Sequence, residues 1–78
     1  MIDRPLDDQV QSALLRNPHT ARRTWRFEAA HGRVTLRGHV RSYFQKQMAQ
    51  EAVRRVAGVV EVLNELVVIE GLGTVDGL

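Results

Sequence analysis

Three histidines are the side chains in this sequence best suited to bind a metal ion, but their spacing does not favour a site. His19, His31 and His39 lie twelve and eight residues apart, whereas paired histidine ligands in zinc motifs lie about four to six residues apart. The chain contains no cysteine, so neither a thiolate site nor a disulfide is available. We therefore predict no metal site and no cofactor, and we interpret the histidines as solvated.

Side chains that carry out catalysis show no productive arrangement either. Ser12 and Ser42 have no adjacent base in the sequence. Glu61 and Glu65 alternate with other residues in a β-rich segment, so both face outward from a sheet rather than into a cleft. We expect no catalytic residues, no small-molecule substrate and no enzymatic activity.

The most distinctive chemical feature is a block of arginines. Residues 20–44 contain six arginines against one glutamate, whereas residues 58–78 contain four carboxylates and no basic residue, within a net charge of +2. Guanidinium groups bind phosphate and carboxylate oxygens, often through two parallel hydrogen bonds. The candidates for binding a lipid headgroup or another anion are Arg22, Arg23, Arg33, Arg37 and Arg41.

Pairing within a sheet is the alternative role for part of this block. Arg37 would lie on a middle strand and face Glu61 or Glu65 on the last strand. Exposed pairs of this kind contribute about 0.2–1 kcal/mol each. The surplus positive charge would then belong to the arginines near the ends of the sheet.

Two helices must help to position these groups. The first is predicted to begin near Pro5 and to end at Asn17, because the residue before a proline leaves the helical region. The second is predicted over 42–57, with Ser42 as a cap that accepts a hydrogen bond from the backbone of Gln45, and with Gly58 as a left-handed C-terminal cap. Each helix has one apolar stripe, so both should cover the same face of a sheet.

Three strands are predicted between and after the helices. Residues 24–30 and 33–41 alternate between apolar and polar side chains, and Gly32 suits the tight turn of a hairpin. Gly38 lies on the core face of the second strand, which indicates a bulge or the close approach of a helix. The run 59–69 is the third strand, parallel to the second after a right-handed crossover.

The predicted fold class is therefore α+β, in the order α-β-β-α-β, with a three-stranded mixed sheet and two helices packed on one face. We expect a single domain over residues 1–69, followed by a flexible C-terminal tail over residues 70–78, which has three glycines and little periodicity.

The outward face of the predicted sheet carries an apolar stripe as well as charges. Leu63, Val67 and Ile69 point to this face by alternation. Three apolar side chains together on one exposed strand suggest that a partner covers them. They are the candidate residues for protein–protein interaction or for weak self-association.

Nucleic-acid binding is a further, less favoured alternative. A sheet that stacks bases needs aromatic side chains on its open face, whereas the alternation turns Trp25 and Phe27 toward the core. A register shifted by one residue would expose them. The G-x-x-G loop that an RNA-binding KH module requires between its helices is absent from the sequence.

The hairpin and the segment after the second helix resemble the BON domain, a family named for bacterial osmotically induced and nodulation proteins. The pattern G-x-V-x-L-x-G-x-V-x-S runs from Gly32 to Ser42, and G-V-x-x-V-x-N-x-L runs from Gly58 to Leu66. With the first helix, the resemblance covers roughly residues 5–69. Residues matched to the pattern that we interpret as structural are Gly32, Gly38, Gly58 and Asn64.

The resemblance implies an α/β sandwich that binds rather than catalyses, with attachment to phospholipid membranes or to partner proteins. We expect peripheral attachment to anionic phospholipid through the arginines, with Tyr43 and Trp25 as interfacial anchors if they are exposed at the sheet ends. No signal peptide is visible at the start of the sequence, which favours the cytoplasm for a complete chain. Family members, by contrast, are often periplasmic or membrane-associated.

Overall fold

The computed structural model describes residues 5–69, which form five elements in the predicted order α-β-β-α-β. The elements are α1 (Leu6–Arg16), β1 (Arg26–Ala30), β2 (Arg33–Val40), α2 (Tyr43–Arg54) and β3 (Glu61–Val68). The predicted tail, residues 70–78, lies outside the described residues.

The three strands form one mixed sheet in the order β1-β2-β3. β1 and β2 are antiparallel, and a two-residue turn joins them between Ala30 and Arg33. His31 and Gly32 in this turn have φ angles of 55° and 80°, as a tight hairpin requires. β3 is parallel to β2, with Val34 opposite Val62, so the predicted parallel pairing is confirmed.

The core lies between one face of the sheet and both helices, which confirms the predicted two-layer arrangement. Helix α1 contributes Val10 and Leu14, and α2 contributes Ala49, Ala52 and Val53. These side chains form one cluster with buried residues on β1, β2 and β3 or next to them, namely Trp25, Val34, Leu36, Val40 and Leu66. The opposite face of the sheet carries the alternate residues of each strand and has no helix from the described chain packed on it.

Helix α2 begins as predicted but ends earlier. The Oγ of Ser42 accepts a hydrogen bond from the Gln45 backbone N–H at 3.1 Å, which satisfies one of the free donors at the helix start. The helix ends at Arg54 with Arg55 as its C-cap, so the prediction that it continues to residue 57 is wrong. Gly58, with φ of 96°, instead belongs to the turn that leads into β3 and is not the helix cap.

The reason for Gly38 on the core face also differs from the prediction. The pairing of β2 with β3 passes through this position without a bulge, since Gly38 lies opposite Leu66. The segment that approaches is Trp25, just before β1: a Cβ at Gly38 would lie 2.6 Å from the Trp25 Cβ. The backbone just before β1, and not a helix, therefore requires glycine at this position.

Candidate functional site

The connection between α1 and β1 is a hydrogen-bonded loop that carries two of the candidate arginines. Thr20 is buried, and its hydroxyl donates a hydrogen bond to the Leu14 carbonyl at 2.7 Å. The backbone N–H of Thr20 bonds the Asn17 carbonyl at 2.9 Å, and that of Arg23 bonds the Thr20 carbonyl at 3.2 Å. The loop therefore holds Arg22 and Arg23 at a defined place, close to the end of the sheet.

This loop and the junction between β2 and α2 enclose a cleft, which we call the basic cleft. It measures about 540 Å³, and its loop side carries His19, Arg22 and Arg23. The junction side carries His39 and Arg41. Among the described residues that line the cleft, none is an aspartate or a glutamate, so its charged lining consists of arginines.

Arg23 is the most fixed of these cations. Its guanidinium carbon lies 5.5 Å from the centre of the Trp25 ring and 5.3 Å from that of Phe27, within the range of a cation–π contact. One terminal nitrogen donates a hydrogen bond to Gln11 Oε1 at 2.9 Å. Arg23 thus forms part of the wall of the cleft, with little freedom to follow a ligand.

The structure separates the five predicted arginines into two groups. Arg33 forms a salt bridge with Glu61 at 3.0 Å, and Arg37 forms one with Glu65 at 3.4 Å, both on the open face of the sheet. Arg22, Arg23 and Arg41 line the basic cleft instead, and none of them forms a salt bridge with a described carboxylate. The fold therefore brings three of the five together and places the other two opposite acidic residues.

Two aromatic side chains are exposed beside the cleft, at the first turn of α2. Tyr43 is 63% exposed and Phe44 is 56% exposed, and the His19 ring lies edge-on to Phe44 at 5.2 Å between centroids. Phe44 belongs to the apolar stripe of α2 in the sequence, yet this end of the stripe extends beyond the core. Trp25, the second expected anchor, is only 7% exposed, so an interfacial role for it is excluded in this conformation.

The open face of the sheet contains the three predicted apolar residues. Val67 is 53% exposed and lies opposite His39, whereas Leu63 and Ile69 are half-buried. Since β3 is an edge strand, this stripe runs along one margin of the sheet. It ends near the basic cleft, because the Ile69 backbone N–H bonds the Val40 carbonyl at 2.9 Å.

Asn64 is a polar residue on the core side of β3, where it connects this strand to α2. Its Nδ2 donates hydrogen bonds to the Lys46 carbonyl at 3.0 Å and to Gln50 Oε1 at 3.1 Å. Its Oδ1 accepts from the Leu66 backbone N–H at 3.2 Å. These three hydrogen bonds engage both the nitrogen and the oxygen of the side-chain amide. They therefore explain an asparagine at this position without a bound ligand.

The described chain has few features of a metal site or a membrane span. Over residues 5–69, no group of three or more histidine, aspartate and glutamate side chains is placed to hold a metal ion. None of the helices in that range has the length and apolar character needed to cross a bilayer. A second cleft of about 460 Å³ lies between the helices, with Gln9 and Arg16 on one side and Glu51 and Arg55 on the other.

Comparison with known proteins agrees with this architecture. No match is found among curated proteins. A family model for the BON domain, a family of non-catalytic binding domains, matches residues 2–70, which is nearly the whole chain and includes all five elements. The α-β-β-α-β order, the hairpin glycines and the asparagine on β3 all lie within that match, and the chain therefore belongs to the BON domain family.

Proposed function

We propose that this domain attaches peripherally to anionic phospholipid membranes through the end of the sheet that carries the basic cleft. The observation that carries the proposal is the exposure of Tyr43 and Phe44 next to arginines that form no salt bridge with a carboxylate of residues 5–69. Aromatic side chains favour the headgroup region of a bilayer, and arginines near an anionic surface contribute about 1 kcal/mol each. The exposed aromatic side chains and the arginines lie on the same surface of this domain.

The charge distribution supports this end over the rest of the sheet. Arg33 and Arg37 are partnered by Glu61 and Glu65, so their attraction for an anionic surface is largely offset. Arg22 and Arg41 are exposed and have no described carboxylate within salt-bridge distance. Binding by two or three arginines is weak, so we expect attachment that is reversible and sensitive to salt.

Co-sedimentation with vesicles tests the proposal. The full chain should bind vesicles that contain phosphatidylglycerol and should bind neutral phosphatidylcholine vesicles much less. The double variant Arg22→Gln/Arg41→Gln should lose most of this preference. The double variant Arg33→Gln/Arg37→Gln removes the same formal charge and should retain it.

Two results would contradict the proposal. Equal binding to neutral and anionic vesicles would show that the arginines are not the cause. An equal loss in both double variants would show that net charge, rather than this end of the sheet, determines binding.

A second candidate function is self-association through the open face of the sheet. The observation that favours it is the exposure of Val67 on an edge strand, in line with Leu63 and Ile69. A second copy of the chain could cover this stripe by apolar contact. The predicted nucleic-acid alternative finds less support, because Trp25 and Phe27 lie on the core side of the sheet.

A further inference from the structure

We propose that the basic cleft is a binding site for a single phosphate monoester group. The proposal deepens the proposed function and rests on it only where the phosphate belongs to a lipid. Diffuse attraction to a membrane needs cations on a surface, whereas the basic cleft has a concave shape of about 540 Å³ with cations on opposite sides. Such a shape can enclose one headgroup.

The donors in the cleft come from three segments of the chain. The loop after α1 supplies Arg22, the end of β2 supplies His39, and the junction before α2 supplies Arg41. Guanidinium groups bind phosphate oxygens with two parallel hydrogen bonds, and an imidazole can donate one more. Donors on separate sides suit a tetrahedral group with several oxygens better than they suit a planar carboxylate.

The start of α2 adds a favourable electrostatic field. Ser42 and Phe44 line the cleft, and the first backbone N–H groups of a helix have no intrahelical acceptor. Ser42 Oγ accepts a hydrogen bond from the Gln45 N–H, and no acceptor within residues 5–69 is bonded to the backbone N–H of Tyr43 or Phe44. The positive end of a helix dipole favours an anion at this position.

Arg23 contributes a third charge that is already in place. Its Nε is buried and has no hydrogen-bond acceptor in the described part of the chain. Because the contacts with Gln11 and the Trp25 ring hold the side chain, its conformational entropy is lost on folding and not on binding. A fixed cation of this kind increases the affinity for a dianion more than a mobile one does.

Two other clefts of the described chain lack this selectivity. The cleft between the helices includes Glu51, and the cleft at the hairpin end includes Glu28 and Glu61. A carboxylate repels phosphate and competes for the nearby cations. Over residues 5–69, the absence of any carboxylate from the lining of the basic cleft is therefore the feature that indicates phosphate.

A titration of the isotope-labelled full chain with inorganic phosphate tests the site without a membrane. Chloride is replaced so that ionic strength stays constant, and backbone amide shifts are recorded. We expect saturable shifts at Thr24 and over residues 41–44. The variant Arg22→Gln/Arg41→Gln should raise the dissociation constant about tenfold or more, as expected from loss of charge-assisted hydrogen bonds.

The matched control is Arg33→Gln/Arg37→Gln, which has the same formal charge and should change the dissociation constant less than about twofold. All four arginines are exposed, so these variants should keep the fold, and the spectra report directly whether they do. Shifts no larger with phosphate than with chloride would overturn the proposal. An equal weakening in both double variants would also overturn it.

Vesicles distinguish the two sources of the phosphate. Phosphatidic acid carries a monoester and phosphatidylglycerol a diester, and the two are compared at equal surface charge. Preference for phosphatidic acid, lost in Arg22→Gln/Arg41→Gln, assigns the site to a lipid headgroup. Saturable phosphate binding without that preference assigns it to a soluble phosphate monoester. If the chain binds no vesicle, the membrane function fails, while the phosphate titration still decides the site.

Discussion

At the scale of single residues, Gly38 shows how the lack of a side chain allows two segments to approach. Its φ of 137° lies where side chains are strained. An added Cβ would lie 2.6 Å from the Trp25 Cβ and 3.0 Å from its Cα. Trp25 is part of the buried core, so the backbone before β1 could not move away without disturbing the packing beneath it.

We therefore expect Gly38→Ala to destabilise the domain by about 1–3 kcal/mol, through overpacking and an unfavourable φ. Unfolding in urea, followed by Trp25 fluorescence, measures the change. Thr35→Ala on the open face of the same strand is the control, and it should cost less than about 1 kcal/mol. A cost at Gly38 no larger than at Thr35 would show that the strand moves aside easily.

The arginines show a limit of counting charges along a sequence. Arg33 and Arg41 contribute equally to the basic block, yet one pairs with Glu61 and the other lines the basic cleft. Glu61 is 28 residues from Arg33, so the register between β2 and β3 determines the pairing. The prediction that Arg37 would face Glu61 or Glu65 is confirmed, and the parallel register places Glu65 opposite it.

At the scale of secondary structure, the signals that were local in sequence predicted the elements well. Alternation identified the strands, and the Ser42 cap identified the start of α2. The end of α2 was missed because Gly58 is a good cap in sequence, whereas the chain turns at Arg55 to reach β3. The basic cleft could not be predicted, because it joins residues 18–25 to residues 39–45 and no local pattern brings these segments together.

The loop after α1 depends on one buried hydroxyl, which suggests a test. Thr20→Val keeps the shape of the side chain but leaves the Leu14 carbonyl without the bond at 2.7 Å. The carbonyl keeps the bond from the Asn17 backbone N–H at 3.3 Å, so we expect a loss of about 0.5–1.5 kcal/mol in the free energy of unfolding, the usual net contribution of one hydrogen bond. Denaturant unfolding measures it.

Thr24→Val is the matched control for this change. Thr24 is exposed in the same loop, so its substitution should alter stability by no more than about 0.5 kcal/mol. Equal effects of the two substitutions would mean that the hydroxyl of Thr20 contributes nothing particular to the loop.

At the scale of the whole molecule, the sheet has a covered face and an open one. The helices bury the first, while the second combines the salt bridges of Arg33 and Arg37 with the apolar stripe on β3. Charged side chains beside an exposed edge strand limit uncontrolled pairing. The stripe is therefore suited to a reversible contact rather than to permanent association.

If the stripe mediates self-association, sedimentation velocity should show a coefficient that rises with protein concentration. Val67→Glu places a charge at the most exposed position of the stripe and should keep the chain monomeric. Gln47→Glu, which adds the same charge on an exposed position of α2, should leave the association unchanged. A wild-type chain that stays monomeric at all concentrations would contradict self-association.

The two ends of the described chain lie at opposite ends of the sheet. Leu6 at the start of α1 lies near Gly58, which in turn lies near Gly32 in the hairpin turn. Ile69 lies at the opposite end of the sheet, beside Val40. The described chain therefore enters at one pole and leaves at the other, about 25 Å away along an eight-residue strand. If the domain attaches to a membrane as proposed, a reporter fused ahead of α1 should stand clear of the bilayer, whereas one fused after β3 should lie close to its surface.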